Sequence, residues 1–231
     1  MRLSQMLFDD LAKKYGRHAS WAAWNDNRAA DVSLLVKEME CLKTSVVMIG
    51  LNVSTHQPGI WENFHGRDHA RKLMYAFNHS PYRGAYMTDL IKEVVEPNSA
   101  GLWAQIKTGT IDLQKQIRSF RTEMRDVGVT ERSLFILFGK KVSQLFRKHL
   151  ANVYPNYVSC VHYSMYGKGF SDAGWVEKTW AVLEAHSRET RATFNTLEFV
   201  RNDLMKEQLQ KLMNNSSGVT KTTVPASVAS E

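Results

Sequence analysis

The chain reads as an α/β protein, a three-layer α/β/α sandwich with a short four-stranded parallel sheet and extra helices at both ends. Three observations predict it. Short apolar runs rich in β-branched and aromatic residues recur at 46–49, 133–138 and 157–161, without the alternation of a half-solvated strand, so both faces of their sheet are expected to be covered. Amphipathic helical stretches separate them, which implies parallel pairing through right-handed crossovers. At 231 residues the chain can bury one α/β core and is short for two. One domain over 1–213 is therefore expected, with N-terminal helices in 1–43, a core over 44–170, C-terminal helices in 171–213 and a disordered tail at 214–231.

Taken in order, 3–15 and about 28–42 carry helical periodicity, the second through Leu34, Leu35, Met39 and Leu42. Between them Trp21 and Trp24, three apart, are expected to share a helix face, packed into the core in preference to a DNA or partner contact. Val46, Val47, Met48 and Ile49 form the first strand; Gly50 permits close backbone approach, and Asn52 sits just past the strand's carboxyl end. A helix over 66–79 and the turn 80–84 lead to a second strand at 85–88. A long helix over 110–127 ends near Gly128, the third strand follows at 133–138, and Gly139 opens a helix with Val142, Leu145, Phe146 and Leu150 on its apolar side. The fourth strand, 157–161, delivers His162. From 172 to 213 the pattern is helical again, with Trp175, Trp180, Leu183, Phe194, Leu197, Phe199 and Leu204 as buried-face candidates. The Ser-, Thr- and Val-rich segment 214–231 lacks large apolar groups.

Thirty Lys plus Arg against 23 Asp plus Glu give a net charge of +7, which favours an anionic partner without identifying one. The two cysteines, Cys41 and Cys160, are too few for an iron–sulfur cluster or a Cys-based zinc site and read as small buried residues. His56, His65 and His69 crowd one region and offer a metal-binding reading, but His65 and His69, four apart, read rather as a solvated helix face. With no signal-like apolar segment and no membrane-length apolar run, a cytoplasmic monomer is expected.

Asn52, Asp89 and His162 all leave the carboxyl ends of predicted parallel strands, where such ends converge on one cleft. Phe64 lies in the first loop. Together they offer an amide that orients water, a carboxylate, an imidazole and an aromatic face, a set suited to a flat heteroaromatic substrate. Each has a plainer role open to it: Asn52 as a turn residue, His162 as a cap or core histidine, Phe64 as core, and Asp89 as the cap of a helix beginning at Leu90.

In order along 44–170, these segments resemble the uracil-DNA glycosylase superfamily, most closely its thymine-DNA and single-strand-selective branch. Gly50-Leu51-Asn52-Val53-Ser54 resembles the Gly-x-Asn-Pro-Gly water-activating motif, and Phe64 falls at the spacing of the base-stacking Phe. Gly84 to Leu90 resembles the strand and turn whose end reads the base edge, Phe138-Gly139-Lys140 the third-strand Gly turn, and His162-Tyr163-Ser164 the His-Pro-Ser motif that opens the DNA-inserting loop. The resemblance implies a DNA partner and base flipping into a pocket with neither a metal nor an organic cofactor, Asn52 holding water, His162 stabilising charge on the base, and Gly50, Ser54, Phe64 and Asp89 around the base. Ser164, Met165, Tyr166 and Lys168 would contact DNA, Met165 or Tyr166 as the wedge.

The departures from that pattern bear on substrate. Val53 and Tyr163 replace prolines. Asp89 stands where a uracil reader typically carries Asn, and an ionised carboxylate only accepts, which suits the amino group of cytosine. Ser54 replaces a bulky Tyr and leaves room at C5. The expected activity is a monofunctional DNA glycosylase excising a 5-modified cytosine, such as the glucosylated hydroxymethylcytosine of phage DNA, in antiviral defence. The alternatives are a uracil or mismatched-thymine repair glycosylase, a catalytically silent nucleic-acid-binding module, and a hydrolase of free nucleosides, which would act without DNA.

Overall fold

Strand β2 (Lys43–Asn52) is the centre of the sheet, and its alternating side chains organise both cores. Val46 and Met48 face one side with Leu73, Phe77, Trp175 and Trp180. Val47 and Ile49 face the other with Phe8, Ile117, Phe120 and Phe146. A strand covered on both faces needs continuous apolarity, and Val46 to Ile49 supply it. The computed structural model describes residues 3–53, 59–66, 68–92, 94–165 and 171–190, together with Gln210 and Asn214.

The remaining elements are α1 (Gln5–Tyr15), β1 (Ala19–Trp21), α2 (Ser33–Lys37), α3 (Asp68–Phe77), β3 (Ala85–Ile91), α4 (Ser99–Thr108), α5 (Leu113–Val127), β4 (Leu134–Phe138), α6 (Lys140–His149), β5 (Tyr157–Cys160) and α7 (Asp172–Glu189). The protein is α/β, with helices flanking both faces of a mixed five-stranded sheet of order β1-β3-β2-β4-β5. Strands β3, β2, β4 and β5 run parallel.

The expected all-parallel, four-stranded sheet is thus corrected by β1, which pairs antiparallel to β3 through Ala19↔Thr88 and Trp21↔Tyr86. An unpaired β3 edge would leave its backbone groups unsatisfied, and this short strand closes it. The expected helical face of Trp21 and Trp24 gives way with it. Both are buried, but Trp21 packs edge-on to Tyr86 in one core while Trp24 packs against His65 in the other. The helix expected over 28–42 reduces to α2 and a 3-10 turn at Met39–Cys41, because Glu38 leaves helical geometry (φ −117°, ψ 34°) and its carboxylate pairs with Arg83.

Strand β3 runs past the predicted 85–88, so Asp89 lies within a strand and no helix begins at Leu90. Its role as a helix cap is excluded. What lets polar residues occupy this strand is a buried network on the far face: Tyr86 Oη and Thr88 Oγ1 donate to Glu123 at 2.9 and 2.7 Å, and Lys92 pairs with the same carboxylate. Helix α7 covers the first part of the expected 172–213 helix. Phe194, Leu197, Phe199, Leu204 and the tail from 215 lie outside the described residues. No described helix is long and apolar enough to cross a membrane.

Candidate active site

Asn52 is the last residue of β2, and its amide is held by carbonyls. Nδ2 donates to Glu96 O at 2.8 Å and Val53 O at 3.1 Å. Since carbonyl oxygens only accept, the nitrogen must face them, which fixes the amide's orientation. Among the described residues no donor engages Oδ1. Asn52 lines a cleft of about 750 Å³ shared with Gly139, Lys140, His162, Ser164 and Met165.

His162 follows β5 across that cleft. Its Nδ1 accepts from the backbone N–H of Ser164 at 3.1 Å and lies 2.7 Å from Ser164 Oγ. A nitrogen that accepts from a backbone N–H carries no proton, so in the neutral ring Nε2 carries it and is a donor. Gly139 makes room for this ring: its φ is +100°, and a Cβ there would stand 3.2 Å from His162 Cβ and 3.3 Å from Cδ2. The same glycine precedes α6, whose first residues Lys140 and Lys141 make this margin of the cleft positive. Lys141 also lies over Trp103, 4.4 Å from the ring centroid.

Gly50, Phe64 and Asp89 form a second cluster deeper in the fold and do not line the cleft. Gly50 and Asp89 are register partners on β2 and β3. A Cβ on Gly50 would fall 2.2 Å from Asp89 Oδ1 and 3.4 Å from Phe64 Cε1, so both side chains pack against this glycine. Asp89 is 2 % exposed. Burial pushes its carboxyl up to about 7, against the opposing effects of the Asn63 amide and Lys92. Asn63 donates from Nδ2 to Asp89 Oδ2 at 3.0 Å and to His18 O at 2.8 Å. Trp61 and Phe64, on either side of Asn63, adopt left-handed φ of 65° and 70°, a costly conformation for bulky residues and one that recurs at ligand sites.

Tyr163 stands between the two clusters. Its ring stacks on His162 at 4.3 Å and meets Phe64 edge-on at 6.3 Å. Burial, and next the nearby Asp89 carboxylate, hold its phenol well above the usual range. Met165, 46 % exposed, is the second residue of the expected inserting loop. Its carbonyl accepts from the fully buried Lys72 at 3.1 Å, and Lys72 also pairs with Asp172 at 3.3 Å, so one lysine links Met165 to the start of α7. Ser54, Tyr166 and Lys168 lie outside the described residues, as does His56.

The expected solvated helix face of His65 is corrected. His65 precedes α3, is 1 % exposed, and places Nδ1 3.2 Å from Ala29 O and Nε2 3.1 Å from Trp21 O. Among the described residues no group of three His, Cys, Asp or Glu is placed to hold a metal.

Sequence reasoning placed Asn52 and His162 at strand ends but passed over Asn63, Lys72 and Tyr163 as site components. Tyr163 carried a usable signal, being an aromatic in place of a proline beside the histidine. Asn63 carried none, because its partner is 26 residues away. In comparisons with known proteins, no family model, curated protein or solved structure matches this chain significantly.

Proposed function

We propose that this chain is a monofunctional DNA glycosylase that draws a flipped base into the cleft beside β2 and hydrolyses its N-glycosidic bond, a 5-modified cytosine being the substrate. The observation that carries the reading is the convergence of Asn52 and His162 on one cleft with opposite polarity, a fixed carbonyl acceptor against an Nε2–H donor. As the glycosidic bond breaks, its electron pair leaves with the base, and His162 stabilises the charge developing on O2. The sugar becomes oxocarbenium-like and needs little nucleophile activation. Asn52 Oδ1 holds the water whose oxygen bonds to C1′, and that water's proton passes to solvent.

Phe64 supplies the stacking face, worth about 1–3 kcal/mol. Asp89 reads the pairing edge and accepts from the cytosine amino group. A Ser at position 54, where the resembled uracil enzymes carry a bulky Tyr, is the sequence feature that favours a substituent at C5. Lys140 and Lys141 favour the approach of phosphates. For the base to reach Phe64 and Asp89, Tyr163 swings aside.

A second reading, a nucleic-acid-binding module without catalysis, is favoured by that same Tyr163, which separates the water-holding residues from the base-reading ones. Mass spectrometry of free base released from DNAs bearing cytosine, uracil, hydroxymethylcytosine, its glucosylated form or a G·T mismatch separates the two. Release from modified cytosine alone is expected. Release of uracil or thymine moves the protein to repair, and DNA binding with no release from any substrate selects the silent module.

A further inference from the structure

Asp89 as a bare carboxyl has two equivalent oxygens, and a neutral carboxyl can place its proton on either one. With the proton free to move, it offers donor-then-acceptor or acceptor-then-donor to a base edge and so fits both cytosine and uracil. The surroundings remove that equivalence. Asn63, 7 % exposed, spends both Nδ2 hydrogens, one on His18 O at 2.8 Å and one on Asp89 Oδ2 at 3.0 Å. Its orientation is therefore locked by two acceptors. An oxygen that receives a standing N–H bond is the worse place for a proton, so protonation falls on the other. That other oxygen, Oδ1, is the one against Gly50.

We propose that Asn63 is a positioning residue that fixes the polarity of Asp89, making Oδ2 a permanent acceptor and Oδ1 the oxygen that carries the proton toward the base. The identity of the ligand rests on the glycosylase reading; the polarity does not. The carboxyl then presents one defined donor–acceptor pair, and selectivity between cytosine and uracil follows from which oxygen meets ring position 3. The backbone around Asn63 is built for this placement: Trp61 O accepts from Ser20 Oγ at 2.6 Å, and the left-handed Trp61 and Phe64 turn Asn63 inward.

Other groups near Asp89 do not break the symmetry of its oxygens. Lys92 donates to the Asp89 backbone carbonyl at 2.7 Å and pairs with Glu123, so its charge is already engaged on the far face. Glu123, from α5, opposes Lys92 in its effect on Asp89, and Tyr163, from the loop after β5, is the remaining titratable neighbour. Asn63 alone bonds one carboxylate oxygen among the described residues.

The test is a carbon-detected NMR titration of the Asp89 carboxyl in the wild type and in Asn63→Ala, alongside relative kcat/KM for DNAs containing a 5-modified cytosine or uracil. Removing the amide takes away a bond to the ionised form. Asp89 is therefore expected to titrate about one pH unit higher in the variant, and selectivity between the two bases to fall about tenfold. An unchanged titration in folded Asn63→Ala would reduce Asn63 to a tether for His18 and overturn the proposal. If that variant does not fold, Asn63→Ser undergoes the same titration, with the same two outcomes. A raised titration with no base released from any DNA upholds the polarity and sinks the glycosylase. Base release with an unmoved titration does the reverse.

Discussion

Replacing Asp89 by Asn perturbs the group proposed to read the base, and the effect is measurable in stability before it is measured in catalysis. Burial lifts this carboxyl from 3.8 to about 7, whereas in the unfolded chain it ionises near its ordinary value of about 4. Between those values the folded protein retains a proton that the unfolded chain has released. Stability from this group is therefore full below about pH 4 and is lost as pH rises toward 7. The whole window corresponds to about 4 kcal/mol, of which about 3 kcal/mol falls between pH 5 and pH 8. The amide of Asp89→Asn is neutral at both pH values and keeps an oxygen for the Asn63 bond. Urea unfolding of both proteins at pH 5 and pH 8 should show the variant gaining about 3 kcal/mol on the wild type at the higher pH. A wild-type-to-variant difference that is the same at both pH values would refute the argument, because a solvated or fully paired carboxyl gives no such slope. In base release, the same variant should shift preference from cytosine-like toward uracil-like bases.

Gly50→Ala should destabilise by about 1–3 kcal/mol, since the added carbon meets Asp89 Oδ1 at 2.2 Å; the loss should largely vanish in an Asp89→Ala background, and an additive double-mutant cycle would contradict the contact. His65 carries the opposite pH signature: burial lowers its imidazole to about 4, so stability from it is full above about pH 6.5 and is lost as pH falls toward 4, by about 3 kcal/mol in all. Its ring signals should not titrate by NMR between pH 5 and pH 7.5, and a midpoint within that range would contradict the buried neutral state. Lys72→Met should increase proteolytic cleavage within 165–172, because the side chain that bonds Met165 O and Asp172 is gone; an unchanged cleavage pattern would mean that the lysine does not hold the loop.

Much of the architecture was legible because the central strands are uninterrupted apolar runs. Strands β2, β4 and β5 announce themselves through residues such as Val46, Val47, Phe135, Ile136 and Val158, and burial on both faces demands such runs. Strand β3 was read short because Thr88 and Asp89 look like turn residues; they stay in the strand through a hydroxyl bond to Glu123 and an amide bond from Asn63, partners that local pattern cannot reveal. Strand β1 has only Ala19, Ser20 and Trp21, too few to display a period, and the Trp spacing imitates a helix. Helix α4 is masked in the sequence pattern because Gly101 sits within it. At the site, Asn52 and His162 were legible from their places at strand ends. The division into two clusters by Tyr163 was not, because it depends on how a side chain fills space between loops.

The central claim is that Asn52 orients the water that cleaves the glycosidic bond. The most direct measurement is single-turnover base release by the wild type and by Asn52→Ala from duplex DNA bearing glucosylated 5-hydroxymethylcytosine, each at saturating protein, with DNA affinity measured in parallel. Unchanged affinity with release slowed by about 10²-fold or more is predicted, the scale of losing a group that positions a reactant. Equal release rates from the two proteins would contradict the account.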